Sequence, residues 1–440
     1  MDPRLQFVLA IALPVAFLIF AVLALLARRR ASKTGTPRRI VIALVTGLAV
    51  SACCLAVMRE LGGASDGKPW EDVSAETQSV LTAVLADIDP ERRVDYHTHV
   101  AGQGNDSACW VNPRMQSLLH PKEFARFLVY AAAAGISDPN APDSEFAVRL
   151  AELIRTQPTP ARHFLLAFDY RYDKAGERDL EHSEFHVPND YVWDLCQEYP
   201  DIFLPCVSVH PYRKDAIAEL TKWGERGAKL VKWLPNSMGI DPADPICDAY
   251  YEVMVRFDMV LLTHVGEEQA VEAEADQMLA NPLRLRRPLD AGVKVLAAHC
   301  ASSGSNEDLD NPGTEARNFE LFLRLMGEEK YEGLLFGEIS TVTQINRYPE
   351  ALEILLARTD LHPRLVNGSD YPLPAINVLY STKKLMQDGF LTTTERTALN
   401  EIYDHNPLLF DLALKRLVRS PATGARFAPE VFELRDGLGF

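Results

Sequence analysis

The chain has 440 residues, 47% of them apolar, which is ordinary for a globular protein and ample for a large core. Its formal charge of −16 is unevenly divided: residues 1–60 carry eight cations and two anions, so the remainder carries −22. So acidic a body excludes nucleic acid as a partner, and seven cysteines without Cys-x-x-Cys spacing exclude a cysteine zinc cluster or a dense disulfide framework.

In chain order, residues 7–27 and 40–58 are two uncharged apolar runs. Each is long enough to cross a hydrocarbon core of about 30 Å as a helix. Six cations between them (Arg28, Arg29, Arg30, Lys33, Arg38 and Arg39) place that loop on the cytoplasmic side. The expectation is two transmembrane helices in a bacterial inner membrane, with the large domain facing the periplasm or exterior. A lipoprotein-type anchor ending at Val50-Ser51-Ala52-Cys53 is the alternative, and it leaves the domain on the same side.

Residues 61–91 read as a linker and a helix near 75–88, residues 92–415 as one domain, and 416–440 as a C-terminal extension. Strands are predicted near 93–99, 164–170, 202–209, 229–234, 259–265, 293–299, 333–340 and 364–370. Helix-like patterns between them include 121–136, 215–228, 248–258, 316–330 and 348–360. Strand–helix alternation with near-continuous apolar strands predicts a parallel sheet buried on both faces. Eight such units fit an α/β fold of the (β/α)8 TIM-type barrel class. Residues 100–162 form a helical insertion, and 167–190 a second long mouth loop. The scattered cysteines read mostly as buried small apolar residues, with one or two disulfides open to an exported domain.

Metal-ligand residues close the predicted strands: His97 and His99, Lys232, His264, His299 and Asp370. In a strand, positions i and i+2 share a face, so His97 and His99 point the same way. Asp95 shares that parity and is a candidate partner for the His97 ring. Imidazole suits zinc and similar cations. Each residue alone is commonplace. Their conjunction at strand C-terminal ends, where barrels build their sites, points to a metal centre.

The order His-x-His, Lys, His, His, Asp on strands one, four, five, six and eight resembles the amidohydrolase superfamily over residues 92–415. The strings His264-Val265-Gly266-Glu267 and Asn367-Gly368-Ser369-Asp370-Tyr371-Pro372 are similar to its amidohydrolase-related branch. The resemblance implies a hydrolase with one or two divalent ions, zinc foremost. His97, His99 and Asp370 would hold the first ion, and His264 and His299 a second. In one-metal members His264 would ligate while His299 orients substrate. Lys232 would be a carboxylated bridge or an ammonium that binds a substrate carboxylate. Asp370 would act as general base and then acid on metal-activated water.

The reaction expected is cleavage of a C–N or C–O bond in a small-molecule amide, cyclic amide or lactone. Decarboxylase or hydratase chemistry on the same site is the first alternative, and a non-catalytic membrane-tethered binding module the second. Candidate substrate contacts at strand ends and mouth loops are Trp110, Tyr170, Arg171, His210 and Trp233, with Asn236, Glu267, Glu338, Arg347 and Tyr371. Oligomeric state is left open.

Overall fold

The computed structural model describes residues 69–440, so the two apolar runs and the basic loop between them lie outside the described residues. Among the described residues no helix is long and apolar enough to cross a membrane. Eight parallel strands form one sheet in sequence order: β1 Val94–His99, β2 Arg162–Leu166, β3 Phe203–Val207, β4 Leu230–Trp233, β5 Val260–His264, β6 Lys294–Ala298, β7 Leu335–Glu338 and β8 Leu365–Val366. The sheet closes on itself through backbone bonds between the last strand region and the first. The Tyr96 N–H donates to the Asn367 carbonyl at 3.0 Å, that of Asp370 to His97 at 2.7 Å, and that of His99 to Tyr371 at 3.0 Å. The predicted barrel is therefore present.

Helices of eight residues or more are α1 Ala75–Leu85, α2 Pro121–Ala133, α3 Pro142–Arg155, α4 Asn189–Glu198, α5 Ala216–Glu225, α6 Asp248–Arg256, α7 Asn318–Met326, α8 Glu350–Ala357, α9 Thr393–His405 and α10 Pro407–Leu417. Between β5 and β6 a short helix, Arg286–Asp290, replaces a full crossover. The insertion after β1 holds α2 and α3. Its first part, Trp110–Val111, pairs antiparallel with Phe185–His186 of the second mouth loop.

Two apolar layers result. The outer one lies between sheet and helices, with Trp223 of α5, Trp233 of β4 and Tyr250 of α6 all 0% exposed. The inner one fills the barrel with alternate residues of the strands, among them Tyr96, Phe164, Leu230, Leu262 and Phe336. The C-terminal residues belong to this inner layer. Leu438 is fully buried in it, and the Phe440 ring lies 4.9 Å from that of Phe164 and 5.5 Å from that of Tyr96. The chain thus plugs the end of the barrel opposite the strand C-termini. Cys109, Cys196, Cys206, Cys247 and Cys300 are buried and unpaired, as small core residues.

The first strand departs from simple alternation. Asp95 pairs with His163 and Thr98 with Leu165, so Tyr96 and His97 together oppose the single residue Phe164. One extra residue in a strand reverses which face the following side chains take. Tyr96 therefore faces the barrel interior with Val94, while His97 and His99 emerge inward at the rim.

Candidate metal centre

All six expected residues (His97, His99, Lys232, His264, His299 and Asp370) line one cavity at the C-terminal mouth of the barrel. The tightest group is His97, His99 and Asp370. His97 Nε2 lies 3.3 Å from His99 Nε2, and Asp370 Oδ1 lies 3.4 Å and 3.2 Å from those two nitrogens. His299 Nε2 is 3.9 Å from Asp370 Oδ2, and donor atoms of His97, His299 and Asp370 fall within 4.8 Å of one another. Lys232 Nζ reaches to 3.0 Å from His97 Nε2. The rings of His264 and His299 are 5.0 Å apart.

Hydrogen bonds behind the rings decide which nitrogens face the cavity. Glu338, at the end of β7, is fully buried. Its Oε2 accepts from His97 Nδ1 at 3.0 Å and from the Ser340 hydroxyl at 2.7 Å. Because Ser340 Oγ donates to Glu338, it accepts from His299 Nδ1 at 2.7 Å. One carboxylate therefore assigns the proton to Nδ1 of both rings and leaves each Nε2 lone pair toward Asp370. His264 is set in the same way, with Nδ1 3.1 Å from Glu268 Oε2. His264 Nε2 is buried without a hydrogen-bond partner. An orphaned nitrogen lone pair in a cavity with three further imidazoles and the Asp370 carboxylate fits a cation ligand set.

Electrostatics agree with that fit. Desolvation lowers the His99 pKa, carries His264 down to about 4 and takes His299 well below its ordinary value, so these imidazoles are neutral ligands at neutral pH. Burial would raise the Asp370 carboxyl, whereas protonated His97, His99 and His299 rings would hold it well below the usual carboxylate range. Burial also lowers the Lys232 pKa, against the pull of Asp370 and Glu338.

The backbone is bent for the purpose. Asp370 and His299 adopt left-handed φ values of 58° and 60°. Such conformations cost non-glycine residues about 1–3 kcal/mol each and concentrate at functional sites. Gly368, two residues before Asp370, has its Cα packed so closely that a Cβ would sit 2.5 Å from both Glu338 Oε1 and His97 Cβ.

Several sequence-based expectations are corrected here. Asp95 does not orient the His97 ring, because the extra residue in β1 turns it away. Its Oδ1 accepts instead from the backbone N–H groups of His97 at 2.9 Å and Ser369 at 3.0 Å. None of the ten candidate substrate contacts lines the cavity. Glu338 lies behind the imidazoles, and Glu268 rather than Glu267 partners His264. Trp233 and Tyr371 are buried on the helix side. His210 is a packing residue, its Nε2 donating to the Met238 carbonyl at 2.9 Å and its Nδ1 accepting from the Tyr212 N–H at 3.1 Å. The available signal for Glu338 was its strand-end carboxylate, in the same position on β7 that His264 holds on β5.

No protein-family model and no curated protein matches the chain. Among solved structures it is similar to an uncharacterised TIM-barrel protein of Bordetella bronchiseptica, at 15% identity over 71% of this chain and 95% of that one, with a TM-score of 0.44. It is also similar to a candidate 2-pyrone-4,6-dicarboxylic acid hydrolase of Pseudomonas putida, at 16% identity over 75% and 96%, TM-score 0.40. A third is 5-carboxyvanillate decarboxylase of Novosphingobium aromaticivorans in complex with manganese and 4-hydroxy-3-methoxy-5-nitrobenzoic acid, at 13% identity over 78% and 96%, TM-score 0.40.

Proposed function

We propose that the protein is a metal-dependent hydrolase of the amidohydrolase type, cleaving a C–N or C–O bond in an amide, cyclic amide or lactone. The observation that carries this reading is the convergence of His97 Nε2, His99 Nε2 and Asp370 Oδ1 within 3.4 Å, with the His97 and His299 tautomers set by one buried glutamate. These residues would hold a divalent ion, zinc being the best match to two imidazoles and a carboxylate. Such an ion supplies a water nucleophile by lowering the pKa of water from about 15.7 toward about 7. Asp370 Oδ2, on the His299 side, takes the proton of the attacking water and returns it to the leaving group. His264 and His299, with Lys232 if carboxylated, would hold a second ion, or His264 would complete the first set while His299 orients substrate.

Metal analysis of the purified protein tests the reading. About two equivalents support the bridged pair, about one supports the mononuclear set, and a protein that neither retains nor is stabilised by any divalent ion overturns it.

We also propose that residues 7–27 and 40–58 tether the barrel to a membrane, with the barrel outside the cytoplasm. The two uncharged runs and the six cations between them support this. A C-terminal reporter active in the cytoplasm alone overturns it.

A further inference from the structure

The walls of the cavity differ sharply from its floor. Its charged residues are Lys232, Glu268 and Asp370, and all three belong to the floor: two converge on the histidines, and Glu268 is occupied by His264. Above them the wall is Val100, Val111, Met115, Phe127, Phe146 and Phe185, contributed by the chain after β1, the two-stranded ribbon, α2 and α3. The polar side chains beside it are Gln103, whose Oε1 accepts from Gln116 Nε2 at 3.3 Å, and Tyr130, whose hydroxyl donates to the Ala270 carbonyl at 2.7 Å. Among the described residues no arginine lines this wall. Arg126, beside Phe127 on α2, is turned into an ion pair with buried Glu184. Arg347 lines a separate depression with Ser302 and Gly304, and its charge is felt by His264, His299 and Asp370 of the floor.

The cavity measures about 160 Å³. An apolar protein cavity of about 150 Å³ takes up benzene. A carboxylate placed against this wall would be stripped of water with no cation to replace it, whereas an uncharged ring would bury apolar surface on both sides.

Resting on the hydrolase reading for the scissile bond, we propose that the substrate presents a neutral, ring-sized apolar group to this wall. The substrate class is then an uncharged aryl or compact alkyl amide, ester or lactone, with the bond to be cleaved over the histidines and no anionic group on the part that enters first. Selectivity resides in the insertion after β1 rather than in the metal-ligand residues.

Two isosteric probes, 4-fluorobenzamide and 4-fluorobenzoate, test this by fluorine NMR titration of the full chain after chelator treatment, so that neither probe can ligate a metal. The amide is expected to bind at least about tenfold more tightly than the carboxylate. Ala131→Phe, which fills the cavity from the partly exposed face of α2, is expected to abolish amide binding. Phe127→Arg, at a half-buried position, is expected to reverse the preference. Equal or tighter binding of the carboxylate to a Lys232→Met protein, in which no floor ammonium can hold it, overturns the proposal, as does amide binding that survives Ala131→Phe or no binding of either probe. The metal reading is separable: a protein that holds no metal as purified yet prefers the amide loses the hydrolase assignment and keeps this one, and a protein that holds metal as purified but prefers the carboxylate after chelation does the reverse.

Discussion

Four imidazoles that face one cavity are useful as ligands only if each presents a lone pair, and for three of them the side chains behind the rings see to that. Glu338 anchors His97 directly and His299 through Ser340, while Glu268 anchors His264. Replacing Glu338 by Gln removes the charged acceptor and frees both rings to change tautomer. Metal affinity is expected to fall about 10- to 100-fold, read by competition with a chromophoric chelator. Asp370→Asn keeps the shape of the site and removes the proton acceptor, so turnover is expected to drop by about 10²- to 10⁴-fold once a substrate is in hand. Gly368→Ala drives a methyl group into Glu338 and His97. It is expected to cost about 1–3 kcal/mol in urea unfolding and to weaken metal binding in parallel. His97, His99, His264, His299, Lys232 and Asp370 were legible as strand-end residues. Glu338 and Glu268 were visible in the sequence without their roles, because a carboxylate behind a ring and one in front of it look alike until the backbone is folded.

At the scale of elements, the eight strands fall where apolar runs end in polar residues, and most helix ends lie within a few residues of expectation. The register of β1 was not legible. Its extra residue lies where β1 pairs with both β2 and the chain after β8, and strict alternation would have put Tyr96 and His97 on opposite faces. The C-terminal residues were likewise read as an extension, yet they close the barrel floor. Leu438→Ala is expected to cost about 2–4 kcal/mol in urea unfolding, since the side chain is fully buried among barrel residues. Metal content should be unchanged, because the plug lies at the other end of the strands; a loss of metal would show that the two ends are coupled.

Across the whole molecule, His163, His210 and the partly buried His186 store acid sensitivity outside the centre. His163 and His210 are buried, and desolvation carries each down to about 4. An unfolded histidine binds its proton near pH 6.5, so the unfolded chain holds more protons than the native one between those values. Stability is therefore full above about pH 6.5 and declines as pH falls toward about 4, by up to about 3 kcal/mol for each residue. Urea midpoints measured from pH 7 to pH 4 should show this decline, and His210→Gln should make it shallower. A flat profile would mean that these rings take up protons in the native protein as readily as in the unfolded chain.

Sequence by itself determined the barrel class, the strand ends and the six residues that meet at the mouth, because parallel strands buried on both faces must be apolar until they reach the rim. It also determined the charge asymmetry between residues 1–60 and the rest. Tertiary structure decided which nitrogens point inward, which carboxylates stand behind them and what the cavity wall is made of. Those depend on strand register and on where an insertion folds back, and both are set by contacts between residues far apart in the chain, which leave no local pattern to read.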